Sequence, residues 1–196
     1  MTVVAGPVSV EPPHGVTLVP VVTAAEMQRA MSAAAEHADV VLMAAAVADY
    51  RPAKVSREKL KRSADPLTIK LEPNPDILAG LGAARRPGQV LVGFALETSD
   101  GVSRARAKLK AKRVDLIALN SPADGIGGNT NRVTLVDAAR TLALPLADKL
   151  AVAEALLDRV LELRAGAMAP SRAAKPKRGR SAGKAPAKRG KGRKRT

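Results

Sequence analysis

Residues 16–46 impose the tightest constraint on what this chain can fold into. The run 16–22 (VTLVPVV) is rich in β-branched side chains, and Thr23 follows it with Glu26 three residues on, the spacing of a helix capping box. Residues 24–37 then read as a helix and 40–46 as an apolar strand. A strand, a helix and a second strand within about thirty residues make a βαβ unit. Such a unit demands parallel strands with the connecting helix on one face, so the chain is committed to a mostly parallel sheet covered by helices.

The later segments extend this pattern. Residues 67–71 alternate like a half-exposed strand, Pro75 stands at the start of a short helix reaching about Ala84, and 90–94 form a buried strand. Residues 100–112 read as a basic helix and 115–120 as a further strand. The Gly- and Asn-rich stretch 123–132 reads as a mobile loop, and 132–136 with 142–146, separated by a turn at 137–141, as a terminal antiparallel hairpin. A closing helix spans 148–164. The expected fold is therefore a three-layer, Rossmann-like α/β domain over residues 1–165, with a mostly parallel sheet and a terminal antiparallel hairpin. The opening at residues 3–4 is abrupt, and no Gly-rich phosphate loop precedes it, although a nucleotide-binding βαβ fold normally carries one after its first strand.

Charge divides along the chain. Of 33 Lys and Arg, 12 fall in residues 171–196, which hold none of the 18 acids, so the first 170 residues carry a net charge of only +3. The segment 166–196 is a Lys-, Arg-, Pro-, Gly- and Ala-rich tail with too few apolar groups to offset the entropy of ordering, and it is expected to be disordered and to attract polyanions weakly. One Phe, one Tyr and no Trp exclude an aromatic platform for stacked bases. The absence of Cys excludes a thiol nucleophile, a disulfide framework and an iron–sulfur cluster, and two His leave only a hard, oxygen-bound metal as a realistic ion. The longest apolar run, 40–48, is too short to span a membrane, and the first twenty residues lack a secretory pattern, so no membrane association and a cytoplasmic location are expected.

Asp49 follows the 40–46 strand at its carboxyl end, the edge where parallel α/β sheets bind ligands. It is placed to hold a metal-bound phosphate or orient a substrate hydroxyl, and equally to close a turn. Lys59, Lys61 and Arg62 offer cations for a triphosphate or simply a solvated surface. In Asn74-Pro75-Asp76-Ile77 the Asn and Asp suit a helix cap, while the free backbone donors there suit an anion. Phe94 ends a strand at the same edge, where it packs against a ligand base or the core. Lys108 and Lys112 lie one helical turn apart, a spacing that repels without a counter-anion and lets both reach one polyphosphate.

Taken together, AAAVADY at 44–50, EKLKR at 58–62, TIKL at 68–71, NPDIL at 74–78, GFALET at 93–98 and KLKAKRVDLIALN at 108–120 resemble, in order and spacing, phosphopantothenoylcysteine synthetase. In bacteria this is usually the carboxyl-terminal domain of a bifunctional coenzyme A biosynthesis protein, behind a flavin-dependent decarboxylase domain. The resemblance implies a CTP-dependent phosphopantothenate–cysteine ligase. CTP and 4'-phosphopantothenate would give an acyl-cytidylate and pyrophosphate, and the amino group of L-cysteine would then attack the acyl carbon and release CMP.

By motif, Asp49 would act at the CTP and Mg2+ site, and Lys59 would be the mobile-loop lysine contacting the nucleotide. Asn74, Pro75, Asp76 and Ile77 would line the nucleotide pocket, Phe94 would lie beside the cytosine, and Lys108 and Lys112 would hold the triphosphate. A homodimer is implied, with the strand 67–71 as a pairing edge, and FMN is expected only in the decarboxylase domain, which is not in this sequence. The family's opening strand, Gly-Gly-Thr loop and Asn-Arg-Ser-Ser-Gly segment are also not in this sequence, so a central strand and the activity of these 196 residues alone become separate questions. Arg62 stands where the family has a second lysine, which keeps charge but changes geometry.

Two rivals remain: an NAD-dependent oxidoreductase, whose glycine fingerprint is lacking, and a noncatalytic nucleic-acid-associated protein acting through its tail. The latter predicts duplex DNA binding that disappears on deletion of 171–196, weakens steeply with salt and survives Asp49→Ala, all readable by fluorescence anisotropy.

Overall fold

A computed structural model describes residues 1–62, 64, 66–121 and 128–168. The expected loop at 123–132 lies largely outside the described residues, as does the tail from residue 169 onward. Two strands open the chain, β1 (Thr2–Ala5) and β2 (Thr17–Pro20), paired parallel in a small sheet of their own. Helix α1 (Ala24–Ala35) follows, its start fixed by the expected capping box: Thr23 Oγ1 accepts from the Glu26 N–H at 3.2 Å while the Glu26 carboxylate accepts from the Thr23 N–H at 3.0 Å.

The main sheet is built from β3 (Val40–Met43), β6 (Val90–Leu96), β7 (Leu116–Asn120), β9 (Val133–Asp137) and β10 (Thr141–Ala143), in the spatial order β10-β9-β7-β6-β3. Strands β3, β6 and β7 are parallel, and β9 and β10 form the expected terminal antiparallel hairpin against β7. Between β3 and β6 lie a two-stranded antiparallel arm, β4 (Tyr50–Pro52) with β5 (Leu71–Pro73), and helix α2 (Ile77–Ala84). Helix α3 (Gly101–Lys112) connects β6 to β7. Short strands β8 (Thr130–Asn131) and β11 (Ala147–Asp148) pair ahead of the closing helix α4 (Lys149–Met168).

The central strands read as continuous apolar runs because both their faces are covered. Leu91, Ala95, Ile117 and Leu119 pack toward α1, α2 and α3 in one cluster with Met27, Leu78, Leu81 and Leu109. Val90, Val92, Leu116 and Ala118 pack on the other face with Val152, Leu156 and Val160 of α4. Each fully buried Leu or Ile side chain contributes about 1.5–3 kcal/mol. Gly93 lets the first layer pack closely: a Cβ there would sit 2.5 Å from Leu78 Cδ2 and 3.0 Å from Ile117 Cδ1, so any larger residue forces these side chains to move.

Several boundaries differ from expectation. The strand expected over 40–46 stops at Met43, where its pairing with β6 ends at Gly93, and the alanines beyond it leave the ladder. The strand expected at 67–71 is not formed; pairing begins at Leu71, and Leu67 and Ile69 stay exposed because no layer lies opposite their alternating pattern. Helix α2 starts at Ile77, capped by Asp76, rather than at Pro75. The closing helix runs to Met168, so residues 166–168 belong to it and not to the tail. Among the described residues no helix is long and apolar enough to cross a membrane.

The second layer carries one buried charge. Asp137, 2 % exposed, accepts from the Ala139 and Arg140 N–H groups at 2.7 and 2.9 Å and from Arg159 Nε and Nη2 at 2.9 and 2.6 Å. Burial works to raise its pKa, but the Arg140 N–H, the Arg159 guanidinium and the Ala139 N–H together hold it below the ordinary carboxylate value. A depressed folded pKa stabilises the fold above the unfolded value, about 3.9, and that contribution is lost as pH falls through the folded value. Arg159→Met, which strands the carboxylate, is expected to cost about 3–5 kcal/mol in urea denaturation at pH 7. In Asp137→Asn the loss of stability on acidification below about pH 4 should be shallower than in the wild type.

Candidate functional site

The parallel strands β3, β6 and β7 end together, and their carboxyl ends open into a cavity of about 620 Å³. This is where an open parallel sheet offers a crevice to a ligand. One wall is the segment Ala44–Asp49, whose small side chains leave room in front of the sheet. A second wall is the turn Asn74–Asp76 with the start of α2, and a third is formed by Phe94, Leu96 and Asn120.

Backbone and side-chain bonds tie the first wall to the second. Asn74 donates its N–H to the Asp49 carbonyl at 2.7 Å, and its Nδ2 to the Ala48 carbonyl at 2.9 Å. Arg51 Nη1 in turn donates to Asn74 Oδ1 at 3.1 Å and to the Pro73 carbonyl at 2.9 Å. Asn74 is therefore a clamp that fixes where Asp49 stands at the rim, and it caps no helix.

Asp76 does two jobs. Its Oδ1 accepts from the Ala79 N–H at 3.0 Å and caps α2, and its Oδ2 pairs with Lys112 Nζ at 3.0 Å across the cavity. Partial burial pushes against its charge, yet the Ala79 N–H and Lys112, aided by Lys108, hold its pKa below the usual value. The backbone donors at the start of α2 thus already face a carboxylate. Glu97 engages the other lysine: Lys108 Nζ lies 2.8 Å and Arg104 Nη1 3.1 Å from its carboxylate, and hydrogen bonding from Lys108 is the largest cause of its lowered pKa.

The structure gathers Asp49, Asn74, Pro75, Asp76, Ile77, Phe94 and Lys112 on the one cavity. Lys108 and Lys59 are not on it. Lys108 is turned to Glu97, and Lys59 is exposed in the 53–70 excursion between β4 and β5. The like-charge pair Lys108 and Lys112 is compensated from within the chain, by Glu97 and Asp76. Phe94 is 40 % exposed and strand β6 continues past it to Leu96. The alanine run and Asn120 escaped the sequence reading. Their signals were available, small residues and a lone amide at the carboxyl ends of two parallel strands. Among the described residues no three His, Asp or Glu side chains come together as a metal cage.

The two functions of Asp76 separate by substitution. Asp76→Asn keeps the cap and loses only a partly exposed ion pair, so urea denaturation should show a change within about 1 kcal/mol. Asp76→Ala removes the cap as well and should cost about 1 kcal/mol more.

Comparison with known proteins gives a consistent result. Residues 1–163 match the DNA/pantothenate metabolism flavoprotein C-terminal domain. The chain is 40% identical over 167 residues to the coenzyme A biosynthesis bifunctional protein CoaBC of Escherichia coli (strain K12), covering 82% of this chain and 41% of that protein. It is also 40% identical over 168 residues to a cysteine/cysteine sulfinic acid decarboxylase from an unknown prokaryotic organism, covering 83% of this chain and 47% of that one. The crystal structure of the C-terminal domain of CoaBC superposes with a TM-score of 0.70 at 34% identity, over 84% of this chain and 74% of that domain. The chain spans less than half the length of these curated relatives.

Proposed function

The chain belongs to the family of DNA/pantothenate metabolism flavoprotein C-terminal domains, and on that premise we propose that it is a phosphopantothenate–cysteine ligase that uses CTP in coenzyme A biosynthesis. The observation that carries the reading is the convergence of three sequence-distant motifs, VAD at 47–49, NPDI at 74–77 and GFAL at 93–96, on one crevice at the strand carboxyl ends.

The chemistry asks for alignment and charge neutralisation more than for a nucleophile on the protein. A carboxylate oxygen of 4'-phosphopantothenate attacks the α-phosphorus of CTP and pyrophosphate departs; the cysteine amine then attacks the acyl carbon and CMP departs. Lys112 stands where it can leave Asp76 for a phosphate oxygen, an exchange that breaks only a partly exposed ion pair worth about 0–1 kcal/mol. Phe94 offers an apolar wall for the base. Lys59, on the 53–70 excursion, would bring a further cation to the nucleotide.

Magnesium fits this donor set in one way. Mg2+ is commonly held by one or two carboxylates with substrate phosphates supplying other ligands. Asp49 is a cavity carboxylate with no ion-pair partner among the described residues, whereas Asp76 is committed to Lys112 and Ala79. Asp49 would hold the ion, which supplies charge neutralisation on the triphosphate.

The test is pyrophosphate release by the 196-residue chain with CTP, Mg2+ and 4'-phosphopantothenate. Release should require phosphopantothenate and fall about 100-fold in Lys59→Gln. A folded sample that releases no pyrophosphate, or whose release is indifferent to Lys59, overturns the assignment for this chain.

A further inference from the structure

One polar group in the cavity is used neither by the fold nor by the chemistry just described. Asn120 is the last residue of β7, in register with Leu96 of β6 and Val133 of β9, and its carbonyl accepts the Glu97 N–H at 3.1 Å. The sheet therefore occupies its backbone. The residue lines the cavity, and its carboxamide has no hydrogen-bond partner among the described residues. The contrast with its neighbours is plain: Asn74 is bonded through both Oδ1 and Nδ2, and Asp76 and Lys112 hold each other.

Side-chain alternation places this amide. Val90, Val92, Leu116 and Ala118 face α4, so by the two-residue period Phe94, Leu96 and Asn120 continue the same face toward the strand ends. There the helix no longer covers them, and Phe94 and Leu96 are left 40 % and 47 % exposed. An apolar wall that ends in one neutral amide is a poor place for a phosphate, whose charge is better met at Lys112. It suits a neutral part of a ligand that carries a hydrogen-bond donor beside an acceptor.

We propose that the Asn120 carboxamide hydrogen-bonds the neutral donor–acceptor edge of the substrate that lies over Phe94 and Leu96. This rests on the ligase reading, in which two bound molecules carry neutral donors and acceptors: the cytosine ring of CTP and the amide of 4'-phosphopantothenate. A carboxamide offers one donor and one acceptor side by side and meets the base edge with two bonds, or the trans amide, whose N–H and C=O point opposite ways, with one. Because no group among the described residues holds its rotation, the amide turns over at no loss of bonding to them. It therefore supplies affinity without distinguishing cytosine from uracil.

Calorimetric titration of the 196-residue chain settles this with three ligands, CTP and UTP in Mg2+ and 4'-phosphopantothenate alone, against wild type, Asn120→Ala and the nearly isosteric Asn120→Asp. The expected result is a loss of about 3- to 10-fold in Asn120→Ala for one substrate with the other unchanged, and an unaltered thermal midpoint because the side chain has no partner to lose. If the base is what Asn120 meets, CTP and UTP weaken together; if it is the acyl amide, only phosphopantothenate weakens. Asn120→Asp, which keeps shape and gives up the donor, should weaken the same ligand. Unchanged affinity for all three in both variants overturns the role of Asn120 while leaving the ligase reading intact. A wild-type chain that binds neither CTP nor phosphopantothenate removes both.

Discussion

The whole arrangement hangs on two strands that, over most of their length, water does not reach on either face. Strands β6 and β7 carry Leu91, Val92, Leu116 and Ile117, each at most 1 % exposed, and they are enclosed by α1, α2 and α3 on one side and α4 on the other. Such strands cannot slip by one residue, since that exchanges the side chains facing the two different layers. Their register therefore fixes where they stop, and where they stop is the cavity. Phe94, Leu96 and Asn120 line the cavity because they are the ends of a face whose beginning is core.

Electrostatics at the site follow the same logic of prior commitment. The cavity's lysine, Lys112, already has a carboxylate partner in Asp76, as Lys108, one turn away and off the cavity, has in Glu97. These pairs keep α3 tolerable without ligand, where two lysines at that spacing otherwise repel. The two pairs are not equivalent. Glu97 has a side chain only 9 % exposed and also holds Arg104, whereas Asp76 is half exposed. Exchange of a lysine onto a phosphate is thus easier at Lys112, the one that lines the cavity, than at Lys108, whose departure leaves a sheltered carboxylate behind.

Much of this was legible in the sequence where the determinants are local. The capping box at Thr23 and Glu26, the terminal hairpin and the placement of Asp49 beyond a strand's carboxyl end each depend on spacing within a few residues, whereas the βαβ unit expected over 16–46 is not formed as one sheet, because β2 pairs with β1 and β3 with β6. What was not legible depends on partners far along the chain. The alternation at 67–71 looks like a strand, but alternation specifies a strand only when a layer covers one side, and Leu67 and Ile69 have none. Asn74 has the composition of a helix cap, yet its amide is taken by Ala48, 26 residues away. Lys108 and Lys112 look alike in sequence, and only the folded positions of Glu97 and Asp76 tell them apart.

The cavity also joins elements of unequal firmness. Its β6–β7 wall is laddered on both sides, while the wall formed by Ala44–Asp49 follows β3, the edge of the five-stranded sheet, whose ladder partner among the described residues is β6 alone. Beyond β3, the β1–β2 pair belongs to a separate sheet, and its half-buried Val4 and Val19 pack against the main core. Local opening is least costly where ladder bonds are fewest. The β3 side can therefore yield to a ligand while the β6–β7 side holds its shape, and the Asn74 clamp is what carries the position of Asp49 across that difference. It ties the softer wall to α2, and α2 is seated on β6 by the close approach of Leu78 to Gly93.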